Sequence, residues 1–434
     1  VPANSHHYTE KLHATYGPLV QISPEMVAVS DHNEIRRIYV TDDLPKSHLI
    51  YNNFRQDKDR PTLLTFTDKK AYGVRKRMVS SMFGIRYIRG MQSIMRQCVD
   101  VALKRLDDLC AQEPSGVAVV DICNLVQSLA VDIIGDTTFG QSFHVVENGS
   151  HPLPLKLKQA LMMSGLFQFI PWLKAVPGIP LRPAYIGQFT NEIVQNRRAV
   201  IASAPRTDLL QMLVEAVDDA PSSTFRSSDL QDEVVVLLTA GSETTANAEL
   251  FVILLLTKHP EKMTKLQAEI DRFYPNAELE TNADHMPEMH YLQACIDETM
   301  RLYPAQPTGS PRESPQDISV LGYEIPRGTA IFPTTATVQR DSALWDQPDA
   351  FIPERWLDSV TASRITPVSF YPFAAGSRVC IGRHFALQEM YLSLVGLFRR
   401  FEFRYIKGQD EVTMLRVAQQ LRAGKYMVEV KRRS

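Results

Sequence analysis

Cysteine is scarce in this 434-residue chain: Cys98, Cys110, Cys123, Cys295 and Cys380 are an odd number with no CxxC pair. That usage disfavours a disulfide framework and a cysteine zinc site, and it fits a reducing compartment. Net charge is nearly absent as well, 47 basic against 49 acidic side chains leaving -2, so nucleic acid is not expected as a partner. No run of about twenty uninterrupted apolar residues occurs, so these residues contain no transmembrane helix. No GxGxxG run occurs either, and a bound nicotinamide or flavin dinucleotide has no fingerprint here. The sequon Asn148-Gly149-Ser150 reads as an Asn-Gly turn. There is no internal repeat.

What is present is ordinary globular composition, 44% hydrophobic and 22% charged, with a length that by itself suggests two or three domains. Residues 16–30 read as two short strands around Ser23-Pro24, followed by a helix over 33–39. Helical periodicity covers 68–107 and 121–140, and 228–258 is the longest unbroken helical pattern. The uncharged stretch 161–173 is too short to span a bilayer and reads as core. Residues 297–303 close another helix, and short strands fill much of 319–332 and the last thirty residues. The expected fold class is mainly α with a minor β region.

The chemistry concentrates in Phe373-Ala374-Ala375-Gly376-Ser377-Arg378-Val379-Cys380-Ile381-Gly382. A cysteine binds metal as thiolate, which needs backbone N–H donors, a helix N-terminus or a cation nearby to lower the thiol pKa. Gly376 and Gly382 permit turns and close backbone approach, Arg378 supplies a cation, and the helical pattern from Phe385 onward starts just after the sulfur. Without that context a lone cysteine among apolar residues is a buried structural thiol.

The long helix carries Ala240-Gly241-Ser242-Glu243-Thr244-Thr245. Small residues leave space on a helix face, a Thr hydroxyl can bond back to the i−4 carbonyl, and Glu243 adds a titratable group beside it. Glu298 and Arg301, at i and i+3, emerge on one helix face and can pair. His285 and His290 are separated by Pro287 and do not form HExxH, so that segment reads as a loop.

Segment 373–382 resembles the haem-binding FxxGxRxCxG loop of the cytochrome P-450 superfamily, with every defined position present. Residues 240–245 resemble its (A/G)Gx(D/E)T(T/S) oxygen-binding pattern, 298–304 its ExxR helix and Phe351-Ile352-Pro353-Glu354-Arg355-Trp356 its PERF-type segment. The resemblance implies one haem-thiolate catalytic domain over 1–434, with haem b between the long oxygen-binding helix and the Cys-loop helix. It implies Cys380 as the iron ligand, Glu243 and Thr244 in proton delivery, and a structural Glu298–Arg301–Arg355 network. Phe373, Gly376, Arg378, Gly382, Ala240 and Gly241 would shape the haem site, with Arg312, Tyr72 and Lys76 reaching the propionates. Tyr72 and Lys76 depart from the WxxxR pattern of many relatives.

The substrate pocket is expected over 47–66, the roof 161–189, Leu237, Leu238, Thr308 and a C-terminal turn near Met414, with Phe54 among its residues. These positions are mainly apolar and favour a hydrophobic natural product. The opening residues resemble membrane-bound fungal members, which implies a lost upstream anchor, a monomer at the cytosolic face of the endoplasmic reticulum and contact with the membrane surface. Electrons would come from a separate flavoprotein NADPH-cytochrome reductase docking near Arg75, Lys76, Arg77 and Arg383. The expected activity is a monooxygenase inserting one atom of O2 by hydroxylation or epoxidation in secondary metabolism. Two alternatives stay open: an oxidase that couples, closes rings or rearranges without net insertion, and a non-enzymatic haem sensor or carrier.

Overall fold

Two aspartates start the elements that frame the core. Asp68 accepts a hydrogen bond from Ala71 N (2.7 Å) and opens helix α2 (Lys69–Ser80), and Asp121 caps Cys123 N and Asn124 N at the start of an apolar helix, Ile122–Ile134. The computed structural model describes residues 5–433 except 56–59, 150, 171, 174–175, 180–182, 201–202, 204–207, 220–226, 277–278, 359–368 and 417. The other helices that matter are α1 (Ser5–Tyr16), α3 (Gln92–Gln112), α5 (Pro152–Phe169), α6 (Ser227–Lys258), α7 (His290–Leu302) and α8 (Arg383–Arg400), with Ile122–Ile134 as α4.

Helix α6 runs 32 residues and packs against α4, α7 and α8. Its buried face carries Val234, Leu238, Ala246, Leu250, Ile253 and Leu256, meeting Val126, Leu129, Ala130 and Ile133 of α4 in the main core. Each such side chain contributes about 1.5–3 kcal/mol by leaving water. Helix α8 is buried on every side from Leu387 to Phe398, as expected of a helix enclosed by others rather than laid on a surface.

Strands β1 (Leu19–Ser23), β2 (Met26–Val29), β4 (Arg312–Glu313) and β5 (Ala330–Pro333) form one sheet in the order β1-β2-β5-β4. Val27 pairs in parallel with Ile331, and Arg312 antiparallel with the same residue. A second, antiparallel sheet places β9 (Met427–Arg432) between β3 (Val117–Asp121) and β6 (Phe401–Tyr405). Strands β7 (Thr413–Leu415) and β8 (Gln419–Leu421) make a hairpin with Met414 opposite Gln420.

The sequence pattern is interrupted in two places. The 68–107 stretch breaks into three helices, because Gly84 adopts an extended conformation as an N-cap and Gly90 ends the short middle helix. The 121–140 stretch leaves α geometry at Gly135 in a π turn that closes at Gly140 in the left-handed region, φ +59°. Helix α5, with Pro152 at its first turn, runs into the uncharged stretch 161–173, which is not all core, since Met162 and Leu166 are exposed. Part of the expected roof, 161–189, lies outside the described residues.

Candidate active site

The loop before α8 is tied down residue by residue. Cys380 N donates to Phe373 O (2.9 Å), and the backbone turns through a short 3₁₀ segment, Gly376–Arg378. Gly376 has φ +71°, and a Cβ there would lie 1.9 Å from Tyr39 O, so both conformation and space require glycine. Asp43 accepts from Ser377 N (3.2 Å) and Ser377 Oγ (2.9 Å) and pairs with Lys69 (2.7 Å). Burial works against its charge, but these bonds hold the Asp43 carboxyl below its usual value.

Four cysteines are buried, whereas Cys380 is exposed. Protein atoms nevertheless crowd its thiol closely enough for burial to govern its titration. Burial pushes the Cys380 thiol up, against the lowering effects of Gly382 N–H, Lys46 and Arg383. The sequence reading expects backbone N–H donors, the helix start and Arg378 to lower the thiol; the Gly382 N–H does so, but the cations that act are Lys46 and Arg383, and desolvation outweighs them all. A metal cation would reverse that balance by stabilising the thiolate.

Near this sulfur three cations converge, none with a paired carboxylate among the described residues. Lys46 and Arg312 sit opposite each other in a backbone bridge. Arg312 is 0% exposed and all three of its guanidinium nitrogens lack a hydrogen-bond partner. Arg378 spends two nitrogens on the carbonyls of Phe66, Thr67 and Asp68 (2.8, 3.2 and 3.4 Å), leaves Nε unpartnered, and lies 3.7 Å over the Tyr72 ring. Lys46 donates to Leu64 O (2.6 Å), and burial, then Arg312 and Arg378, hold its pKa well below the ordinary lysine value. Such a cluster is costly unless an anion joins it.

On α6, Thr244 Oγ1 donates to Ala240 O (2.7 Å), and Asn247 Nδ2 donates to Glu243 O (2.6 Å). Leu237, Ala240, Gly241 and Thr244 share one face at helical spacing, and Ala240 is exposed although its helix is central. Gly241 meets α4 instead of open space: a Cβ there would lie 2.6 Å from Ile134 Cδ1.

Behind the loop, Glu298 takes a forked pair of bonds from Arg301 Nε and Nη2 (both 2.8 Å), and others from Arg355 Nε (3.1 Å), Trp356 Nε1 (2.9 Å) and Ile352 N (2.9 Å). Arg301 Nη1 donates to the carbonyls of Gln339 (2.8 Å) and Pro348 (2.6 Å), and Nη2 also to that of Ala350 (3.1 Å). Every donor and acceptor of the pair is used.

The cytochrome P450 family model matches residues 2–429. The chain is 58% identical over 434 residues to the cytochrome P450 monooxygenase acrD of Aspergillus aculeatus, covering 99% of this chain and 86% of that one. It is 54% identical over 411 residues to the cytochrome P450 monooxygenase mpsF of Macrophomina phaseolina, covering 94% of this chain and 100% of the other. The chain belongs to the cytochrome P450 family. The crystal structure of the cytochrome P450DA heme domain matches its fold with a TM-score of 0.83 at 21% identity, covering 100% of this chain and 93% of that one.

This P450 is therefore a monooxygenase whose family carries haem iron and uses O2, a substrate and a redox partner. Its residues fit that group: an accessible cysteine, the exposed small residue Ala240 on the central helix, and three buried cations that among the described residues lack the anion a haem's two carboxylates provide.

Several positions differ from the sequence expectation. Lys76 Nζ bonds Ser377 O (2.9 Å) and so braces the Cys loop, while Tyr72 packs beneath Arg378. Arg75 is not part of a basic docking face: it is 3% exposed and pairs with Glu233 (2.6 Å) and Asp229 (3.6 Å). Arg77 and Arg383 do remain exposed. Leu238, expected in the pocket, lies fully buried on the packed face of α6. Phe54, Leu237, Thr308 and Met414 are partly buried and retain accessible surface. His285 lies in a short 3₁₀ segment and His290 opens α7. Lys46 was missed because only the long-range bridge to Arg312 brings it to the site.

Proposed function

We propose that this P450 hydroxylates or epoxidises a hydrophobic small molecule of secondary metabolism, using haem b and electrons from a separate NADPH-cytochrome reductase. The reading treats residues 1–434 as one catalytic domain at the cytosolic face of the endoplasmic reticulum membrane. What carries it is the accessible Cys380 beside three buried cations that have no anion among the described residues. Bound haem iron would supply the activation of dioxygen.

The chain's own residues do the rest. Cys380 Sγ is the proposed iron ligand, with Phe373, Gly376 and Gly382 shaping its loop. Arg312, Arg378 and Lys46 bind the two carboxylates, Tyr72 supports Arg378, and Lys76 braces the loop. Thr244 already donates its proton to Ala240 O, so its oxygen can accept a proton-carrying partner, and Glu243 supplies the adjacent titratable group. Ala240 keeps a large side chain out of the way, while Gly241 lets α6 approach Ile134 of α4. Exposed Leu155, Met162 and Leu166 on one face of α5, with exposed Trp172 beyond it, support contact with a membrane surface.

The test is turnover under labelled dioxygen with a flavoprotein NADPH reductase: one labelled oxygen per product is expected, and an unlabelled oxidised product overturns insertion in favour of coupling or ring closure. A second expectation concerns Arg312→Met. Removing a charge-assisted bond worth about 1.5–3 kcal/mol should speed haem loss roughly tenfold or more. The same change should raise the melting temperature of the haem-free protein by relieving like-charge repulsion. Unchanged haem release, measured by transfer to a haem acceptor, contradicts the assignment.

A further inference from the structure

Two acidic residues sit where an apolar pair would be expected. Glu249 on α6 and Glu389 on α8 are 0% and 1% exposed, and none of their four carboxyl oxygens has a hydrogen-bond partner. Their helices pack together, and the charge of Glu249 acts on Glu389. Ser393, one turn beyond Glu389, lies beside Glu249 with its hydroxyl outside bonding geometry. From α3 the titratable group that feels Glu389 is Cys98, whose thiol donates to Asp136 (3.3 Å). Among the described residues no cation acts on either carboxyl. Two unpaired carboxylates at this depth are excluded by the cost of desolvation; the least costly counter-ion that fits is a proton.

We propose that Glu249 and Glu389 stay protonated as a coupled carboxyl pair at the contact of α6 with α8, making them positioning residues for the Cys380 centre. This rests on the haem-thiolate reading above. Glu249 lies five residues beyond Thr244, about 7.5 Å along the same helix. Glu389 stands on the second turn of α8, the helix that begins three residues after Cys380. The pair therefore joins the helix bearing the small-residue face to the helix bearing the sulfur, and charging it forces the two apart. Burial pushes Glu249 up to about 8. Burial, reinforced by the charge of Glu249, raises Glu389 well above its usual value.

The sign follows from linkage. A carboxyl with a raised folded-state pKa costs nothing below its ordinary pKa of 4.5, and its cost grows as pH rises toward the folded value. Glu249→Gln and Glu389→Gln remove an ionisable proton while keeping shape, so each variant's melting temperature, relative to wild type, should climb between pH 5 and 8 and then level off. In holoprotein, the wild-type carbon-monoxide band of thiolate ligation should decline as pH passes about 8, and less so in the variants.

The spectroscopic arm is a protonated-carboxyl infrared band in heavy water, present in wild type at neutral pD and lost in the double Gln variant. Parallel pH curves for wild type and variants, or no such band in the difference spectrum, overturn the proposal. If the variants do not accumulate, the wild-type band must persist at pD 8, where Glu233 and Asp297, raised only to about 7 and about 6, have largely ionised; its absence there also overturns the pair. A wild type lacking the thiolate band at every pH defeats the haem-thiolate reading instead, while the infrared and melting results still decide the pair.

Discussion

Arg301→Ala should yield little folded protein and essentially no bound haem. Arg301 is completely buried, and its guanidinium binds both oxygens of Glu298 and three backbone carbonyls, those of Gln339, Pro348 and Ala350. Its loss takes both bonds of the fork from the carboxylate and leaves three carbonyls without their donor. Breaking a buried pair by removing one partner costs about 3–5 kcal/mol, a large share of a total stability of about 5–15 kcal/mol. Arg301→Lys restores charge without the planar fork, so it should rescue only partly. Haem occupancy by absorbance and the urea midpoint check this; full occupancy with an unchanged midpoint in Arg301→Ala contradicts the structural role.

Cys380→Ser has the opposite profile, a large loss of activity with little loss of fold. Apart from the Gly382 N–H that acts on the sulfur, the bonds that anchor the loop do not use it: Ser377 binds Asp43, Arg378 binds the carbonyls of residues 66–68, and Cys380 contributes its backbone N–H. Stability should change by no more than about 1 kcal/mol. Monooxygenase turnover should fall at least a hundredfold, about 2.7 kcal/mol in barrier height, because an alcohol oxygen does not donate to iron as a thiolate does. More than about a tenth of wild-type turnover in Cys380→Ser would overturn the ligand assignment.

How much of this was legible depends on whether the information is local. The long helix was readable to its end at Lys258, because its helical apolar period continues to there. The Glu298–Arg301 pairing follows from i,i+3 spacing alone, whereas Arg355 joins it across 54 residues from Arg301 and came only through the family's motif order. The run Arg75-Lys76-Arg77 read as a charged surface, yet Tyr72, Arg75 and Val79 fall on one helical face and all three are buried. That periodicity was available and was overruled by composition. Leu237 and Leu238 are adjacent in sequence, about 100° apart around the helix, and only Leu238 is fully buried, a distinction set by what packs against α6. Glu249 interrupts an apolar run ending at Leu256, which marks it as buried, but its partner on α8 is known only from the fold. Lys46 carries no local signal at all.

The central claim is that Cys380 presents a thiolate to haem iron. The reduced, carbon-monoxide-treated protein should show the red-shifted Soret band of thiolate ligation in wild type and lose it in Cys380→Ser. A wild-type spectrum without that band, or a variant that keeps it, contradicts the account.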